Sequence, residues 1–234
     1  MSPGSAGVAA AEHCAHCFDS LVAHLNGQQL PAPEFEDGTC ALFVTWNKAP
    51  SSTPAAPPRL RGCIGTLEPR RLHVALRDYA LTSALRDSRF APITARELPR
   101  LHCGVSLLRQ FEAAARWDDW AVGTHGLIIE FTDPRLKCRR SATFLPEVAG
   151  EQGWSQRETI DSLIRKAGYD GPVDEPLLAA LKVTRYQSSK ARLTYTDYQS
   201  YRAARDGCRG TARVAGDRVP EAAPGGAAAA TAFA

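Results

Sequence analysis

The chain has 234 residues, 44% of them hydrophobic, which is enough to fill the core of one domain of ordinary size or of two small ones. Its formal net charge of +3 is too small to indicate a nucleic-acid partner, and no run of about 18 apolar residues predicts a membrane span. The seven cysteines are odd in number and scattered, and no secretory signal is visible, so we expect a reduced intracellular protein, cytoplasmic or nuclear, with free thiols.

The first half of the chain alternates between helical and extended patterns. Apolar stripes at helical spacing and short runs of β-branched and aromatic residues predict, in chain order, a helix over residues 12–26, a strand at 39–46, a strand at 60–66 and a helix from Leu72. The proline-rich stretch between the two strands, residues 47–58, predicts an extended surface loop.

The second half begins with strand patterns and ends in helical ones. They predict strands from Leu101 and Gly126, a partner strand for the latter at 137–144, a helix over 155–167, a strand near 181–187 and a short amphipathic segment at 195–205. The 155–167 helix has the clearest signal, because Ser155 and Glu158 form a capping box. Strands and helices mix without strict alternation, which favours an α+β fold over a doubly wound sheet.

Composition sets the limits of the predicted domain. From Asp206 onward the chain is glycine, alanine, arginine and proline with almost nothing to bury, which predicts a disordered tail over 206–234. The first residues, 1–11, are expected to be disordered as well. The folded domain is therefore predicted to cover 12–205.

The stretch RLRGCIGTLEP, residues 59–69, holds the main candidate site residue, Cys63. If the stretch is a strand, Arg59 and Arg61 share a face with Cys63, and their charge would lower the pKa of the thiol. Gly62 and Gly65 would let a ligand or another backbone approach.

A structural interpretation of the same stretch stays open. Free cysteine is among the most buried residue types, so Cys63 would then be a small thiol packed in a strand. Both glycines would serve tight packing, and Arg61 would pair with Asp87 or Glu68.

Four further residues are singled out on chemical grounds. Asp87 and Arg89, in the stretch RDSRF, would either pair with one another or present charge to a cleft. His125 lies between two glycines just before a predicted strand, which suits a turn residue or a general acid or base. Glu147 follows a proline, where a carboxylate fits the start of a helical turn.

No metal and no cofactor is predicted. The stretch EHCAHC contains Cys14, His16 and Cys17, but on the predicted helix His16 faces nearly opposite the apolar stripe that includes Cys14, so the two would not meet on one ion. P-loop, GxGxxG, GxSxG and HExxH motifs do not occur in the chain.

Six stretches in order resemble the AMMECR domain family: LRGCIGTLEP, ALTSALRDSRFAPIT, VSLL, VGTHGLIIEF, TFLPEVAGEQGW and TIDSLIRKAGY. The resemblance covers about Cys14 to Tyr201, and LRGCIG is the signature of that family. It implies an α+β fold of two unequal α/β subdomains with mixed or antiparallel sheets and a cleft between them. The larger part comes from both ends of the domain and the smaller is inserted. The resemblance further implies positions near the cleft for the candidate residues Cys63, Arg61, Asp87, Arg89 and His125.

The resemblance implies no activity, so two functions of different classes remain. In the first, an enzyme or enzyme accessory binds a small molecule or modified macromolecule around Cys63, with His125 as general base and Arg61 or Arg89 as anion clamp. In the second, a non-catalytic scaffold or regulatory module binds a protein partner. A nucleic-acid-linked role is third and rests only on the excess of arginine over lysine, since five of the 28 basic residues are lysines.

Overall fold

The computed structural model describes residues 7–50 and 56–215, with side chains described as far as residue 206. The helices of this part are α1 (Ala11–Asn26), α2 (Leu72–Leu85), α3 (Pro146–Gln152), α4 (Gln156–Lys166), α5 (Glu175–Ala180) and α6 (Tyr195–Ala215), with a 3-10 helix at Ala95–Arg100. The strands are β1 (Thr39–Lys48), β2 (Arg59–Arg71), β3 (Leu101–Ala113), β4 (Gly126–Thr132), β5 (Arg139–Phe144) and β6 (Lys182–Thr194). Every predicted element is present, whereas α3, α5 and the 3-10 helix were not predicted as helices.

Within the described residues the six strands form one sheet in the order β2-β1-β3-β6-β4-β5, and every neighbouring pair is antiparallel. The predicted α+β class is therefore confirmed. Because β2 stands at one edge of the sheet, the LRGCIG stretch lies on an edge strand. The sheet and helices α1 to α5 belong to a compact unit that ends at Tyr198, and the remainder of α6 belongs to a second unit.

One face of β1 packs against α1 and α2. The indole nitrogen of Trp46 donates a hydrogen bond to the Ala80 carbonyl of α2 at 3.0 Å, and the ring of Phe18 on α1 meets the Trp46 ring edge-on at 5.0 Å. Tyr198 stacks on Phe18 and donates a hydrogen bond to Asp19 at 2.8 Å. Since side chains alternate along a strand, Thr45 of β1 points to the opposite face.

A second apolar cluster joins β4 to the helices that follow it. Leu127 and Ile129 of β4 are buried against Ile160, Leu163 and Ile164 of α4. The predicted capping box of α4 is confirmed, because the Ser155 side chain accepts from the backbone of Glu158 and the Glu158 carboxylate accepts from Ser155 N–H at 2.8 Å. This cap fixes where α4 begins and hence which of its faces meets the sheet.

The limits of the folded region differ in part from the prediction. α1 begins at Ala11, next to the expected position. α6 continues to Ala215, whereas the sequence predicted disorder from Asp206. Residues 1–6, 216–234 and 51–55 of the proline-rich loop lie outside the described residues. No helix in the described part is long and apolar enough to cross a membrane.

Candidate functional site

Cys63 lies on β2 directly opposite Thr45 of β1, and the Thr45 hydroxyl oxygen is 3.1 Å from the Cys63 sulfur. The backbone of Cys63 faces outward from the sheet. Its N–H donates to Asp87 Oδ2 at 2.9 Å, and its carbonyl accepts from Arg89 Nη2 at 3.1 Å. Open backbone groups at a sheet edge are a template for another strand. Asp87 and Arg89 close that edge at Cys63.

Asp87 and Arg89 also pair with one another, as the sequence suggested. Arg89 donates to the Asp87 carboxylate from its backbone N–H, its Nε and its Nη2, at 3.2, 2.9 and 2.6 Å. These hydrogen bonds, helped by the one from Cys63 N–H, hold the pKa of the Asp87 carboxyl well below its usual range. The Asp87 side chain is 4% exposed and that of Arg89 is 54% exposed. Asp87 is therefore the buried member of this ion pair and Arg89 the solvent-exposed one.

Arg61 has a different partner from those considered from sequence. It pairs with neither Asp87 nor Glu68 but with Glu97 of the 3-10 helix, through Nε at 3.0 Å and Nη2 at 3.2 Å. Lys48 Nζ donates to the same carboxylate at 2.7 Å. Burial would raise the pKa of Glu97, but the hydrogen bonds from Arg61 and Lys48 outweigh it and lower that pKa to about 2. The side chain of Arg61 therefore forms a structural ion pair with Glu97.

The register of β2 explains this difference. The β1–β2 pairing shifts where Trp46 faces Gly62 and the next residue, Asn47, faces Leu60, so Arg61 has no partner in the ladder. An extra residue of this kind bends the strand and breaks the simple alternation of side chains. The expectation that Arg61 shares a face with Cys63 rested on that alternation.

Other atoms of the protein occupy the space where side chains at Gly62 and Gly65 would lie. A Cβ at Gly62 would collide with the backbone carbonyl oxygen of Ser83, and a Cβ at Gly65 would collide with the carbonyl of Leu42 and the ring of Phe43. Of the two alternatives expected, the close approach of another backbone is what the structure has at both glycines, and neither leaves space for a ligand. They are required by packing, as the structural interpretation held.

The Cys63 thiol is half-buried, and burial raises its pKa. The hydrogen bond with Thr45 and the charge of Arg89 act in the lowering direction, while the carboxylates of Asp87 and Glu147 add to the increase. The sequence predicted a thiol activated by arginine. In the structure burial outweighs the arginine, and the thiol is protonated at neutral pH.

His125 closes its own turn. Its ring Nδ1 accepts a hydrogen bond from the Ala121 backbone N–H at 3.0 Å. The backbone N–H of His125 donates to the Ala121 carbonyl, also at 3.0 Å. Among the described residues no hydrogen bond links His125 to Cys63. The structure therefore brings Cys63, Asp87 and Arg89 together, whereas Arg61 and His125 are engaged elsewhere.

Strand pairing extends the site across the sheet. Cys63, Thr45, Gly104 and Arg192 are successive partners in one row over β2, β1, β3 and β6. Directly opposite residues of antiparallel strands share a face, so these four point to the same side. A Cβ at Gly104 would meet only ordinary contacts, at 3.8 Å from Thr45 and 4.0 Å from the Ala191 carbonyl. Packing within the described residues therefore does not require a glycine at this position.

A cavity of about 500 Å³ lies over Gly104. Side chains from five elements supply its polar lining: Asn47, His102, Glu151, Arg192 and Asp197. Helix α3 forms one wall and is held on β6 by the ion pair of Glu147 with Lys190, at 2.6 Å. These lining residues were not recognised from the sequence, because strand register brings them together from distant parts of the chain. The available signal was Gly104 itself, a glycine inside a predicted strand.

The N-terminal cysteines belong to the core. Cys14 and Cys17 of α1 are fully buried next to Cys103 of β3, and burial raises the pKa of both Cys17 and Cys103. His16 is buried as well, with its Nε2 3.2 Å from the His73 carbonyl oxygen, and its ring meets Phe35. The described ranges contain no group of three or more histidine, cysteine or acidic side chains arranged to hold a metal ion.

Comparison with known proteins decides the family. The AMMECR1 family model matches residues 14–191. The chain belongs to the AMMECR1 family. An uncharacterized AMMECR1-type protein of Arabidopsis thaliana is 53% identical over 190 residues, which cover 81% of this chain and 87% of the relative. One of Schizosaccharomyces pombe is 38% identical over 190 residues, covering 80% and 94%.

A solved structure shares the AMMECR1 fold. The crystal structure of an uncharacterized protein from Pyrococcus horikoshii matches with a TM-score of 0.60 and 27% identity, covering 79% of this chain and 93% of that one. These relatives are themselves uncharacterized. The family therefore establishes the fold of the chain and leaves its activity to be argued from the site.

Proposed function

We propose that this AMMECR1-family protein binds a small molecule on the open face of the sheet, in the cavity over Gly104 and beside Cys63. The observation that carries the proposal is the contrast among three glycines of the sheet. Gly62 and Gly65 are closed by neighbouring atoms, whereas a Cβ at Gly104 would meet only ordinary van der Waals contacts, and Gly104 lines the cavity. A strand interior loses stability by using glycine without need, so a function that requires the space accounts for Gly104.

The size and lining of the cavity suit a small ligand. Its volume of about 500 Å³ falls within the ~300–1,000 Å³ typical of ligand pockets. Such pockets place a few polar groups around an enclosed volume, and here Asn47, His102, Glu151 and Arg192 have that position. Ligand contacts would come from four elements whose relative positions are fixed by the sheet.

Cys63 lies next to the binding site in this proposal and is not its nucleophile. The thiol lies two strand spacings from Gly104, about 10 Å, on the same face. A cysteine nucleophile needs a lowered pKa or an adjacent base. The hydrogen-bond partner of this thiol is the Thr45 hydroxyl, and burial raises its pKa. Cys63 is not among the residues that line the cavity, so we assign it a position next to the binding site and no nucleophilic role.

The test is a metabolite pull-down with mass spectrometry that compares the wild type with Gly104→Val. Valine suits a strand and fills the cavity floor, so the variant should fold normally and lose the retained compound. Ser141→Val is the matched control, because Ser141 is an exposed position of β5 in the other half of the sheet. A compound retained by the wild type and the control but absent from Gly104→Val supports the proposal. Equal retention by all three contradicts it.

The scaffold hypothesis gives a different result in the same experiment. A protein partner held on the outer surface would bind Gly104→Val as well as it binds the wild type, since the substitution alters only the cavity. In that case Gly104→Val would retain the same small molecules as the wild type.

A further inference from the structure

The side chain of Arg192 has no partner in the described part of the chain. Within residues 7–50 and 56–206 its guanidinium forms no hydrogen bond and no ion pair, although Arg192 lines the cavity beside Gly104. Lys190, two residues earlier on the same face of β6, is neutralised by Glu147. The guanidinium of Arg192 is therefore available to a ligand in the cavity. The planar fork of arginine matches the two oxygens of a carboxylate or phosphate.

Two more side chains with N–H groups stand one row away. Asn47 and His102 are direct partners across β1 and β3, and both line the same cavity. Neither side chain forms a hydrogen bond within the described part of the chain. An amide and an imidazole each bring at least one N–H donor. Together with Arg192 they make three donor groups around one cavity.

Two acidic side chains, Asp197 and Glu151, also line the cavity, and within the described residues neither forms an ion pair with Arg192. Asp197 is occupied at the start of α6, where its carboxylate accepts from the Thr194 hydroxyl at 2.7 Å and from the Thr194 N–H at 3.3 Å. These hydrogen bonds and the charge of His102 lower the pKa of Asp197. Glu151 lies at the far end of α3 and is exposed, so it faces the open side of the cavity.

Building on the proposed function, we propose that the ligand is a small anion whose carboxylate or phosphate group is bound by Arg192, with His102 and Asn47 as further hydrogen-bond donors. The glycine floor lets the anionic group lie close to the sheet. Glu151 then faces the remainder of the ligand and selects a hydroxyl or amino group there, because a carboxylate accepts hydrogen bonds and repels a second anion.

The experiment is a titration of the isotope-labelled full chain, followed by NMR, with three probes: pyrophosphate, citrate and glycerol. We expect saturable shifts of the Gly104 and His102 amide signals with at least one anion and none with neutral glycerol. Arg192→Gln should weaken anion binding by about tenfold or more, the loss expected when a charged hydrogen bond is removed. Arg109→Gln, an exposed strand arginine at the other end of β3, should bind within about twofold of the wild type.

The outcomes separate this inference from the proposed function. Tighter binding of pyrophosphate would indicate a phosphoryl ligand and tighter binding of citrate a carboxylate ligand, and both support the inference. Anion shifts that are absent, or equal in Arg192→Gln, overturn it. If Gly104→Val at the same time loses a neutral or cationic metabolite, the proposed function stands and only the anion assignment fails. If Gly104→Val changes neither metabolite retention nor the titration, both fail.

Discussion

The carboxylate of Asp87 accepts a hydrogen bond from the backbone N–H of Cys63 at 2.9 Å. This bond joins the RDSRF stretch to the LRGCIG stretch, and the Arg89 side chain completes it by donating to the Cys63 carbonyl. Two segments that look like separate reactive motifs in the sequence are thus one structural unit. Asp87 is buried and Cys63 is on an edge strand, so the unit fixes the edge of the sheet that borders the candidate site.

The first prediction concerns this unit. Asp87→Asn keeps an acceptor for the Cys63 N–H but loses the charge that pairs with Arg89, so we expect the free energy of unfolding to fall by about 1–3 kcal/mol. Urea denaturation measures the change. Asp78→Asn is the control, because Asp78 forms a similar pair with Arg77 on the surface and should cost less than about 1 kcal/mol. If both substitutions lowered the free energy of unfolding by the same small amount, the contacts of Asp87 with Cys63 and Arg89 would not be structurally important.

The second prediction concerns acid stability. The folded pKa values of Asp87 and Glu97 lie below the unfolded values of about 3.9 and 4.3, and that of Glu97 is lowered to about 2. A lowered pKa contributes stability that is present above the unfolded value and lost as the pH falls towards the folded one. We therefore expect stability to decline between about pH 4 and pH 2. Urea midpoints measured across that range should fall less steeply in Asp87→Asn, and an identical slope would contradict the prediction.

Most of the helices and strands could be predicted from local patterns in the sequence. The capping box of Ser155 with Glu158 and the glycines that end α1 and α4 act within one or two turns, so the sequence shows them directly. Gly27 and Gly168 have φ values of 64° and 83°, which glycine adopts at little cost. Strand β6 is an element that local sequence signals predict only in part. Its second half is polar and was not predicted as strand, and its pairing with β3 determines its structure.

The site depended on partners that are distant in sequence. Arg61 and Glu97 are 36 residues apart, and Thr45 and Cys63 are 18 apart. These contacts follow from strand register and from one irregular position in β2, neither of which composition or periodicity determines. The sequence therefore identified Cys63, Asp87 and Arg89 as a candidate group, while Arg192 could be recognised only from the sheet.

The third prediction separates packed from open glycines. Gly62→Ala places a Cβ against the Ser83 carbonyl at the end of α2, and backbone atoms yield little, so the variant should lose about 3 kcal/mol or more. Gly104→Ala should gain about 0.5–1 kcal/mol, because its Cβ meets only ordinary contacts and alanine orders the strand at lower entropic cost. Urea midpoints compare the two. A loss of equal size at both positions would mean that the face over Gly104 is closed in solution.

The last prediction concerns the reactivity of the thiols. Cys138 is exposed, Cys63 is half-buried with a raised pKa, and Cys14 and Cys103 are buried in the core. Iodoacetamide at neutral pH should therefore alkylate Cys138 before Cys63, and should reach Cys14 and Cys103 only after unfolding. Peptide mass spectrometry over a time course at several pH values measures each rate.

Thr45→Val tests the cause of that order. Valine keeps the shape of threonine but removes the hydroxyl whose hydrogen bond lowers the pKa of Cys63, so the pKa should rise further and the alkylation of Cys63 should slow. The rate at Cys138 is the internal control and should stay the same. Cys63 reacting faster than Cys138 at neutral pH in the wild type would mean that the thiol is activated in solution. It would then be a candidate nucleophile, contrary to the proposed function.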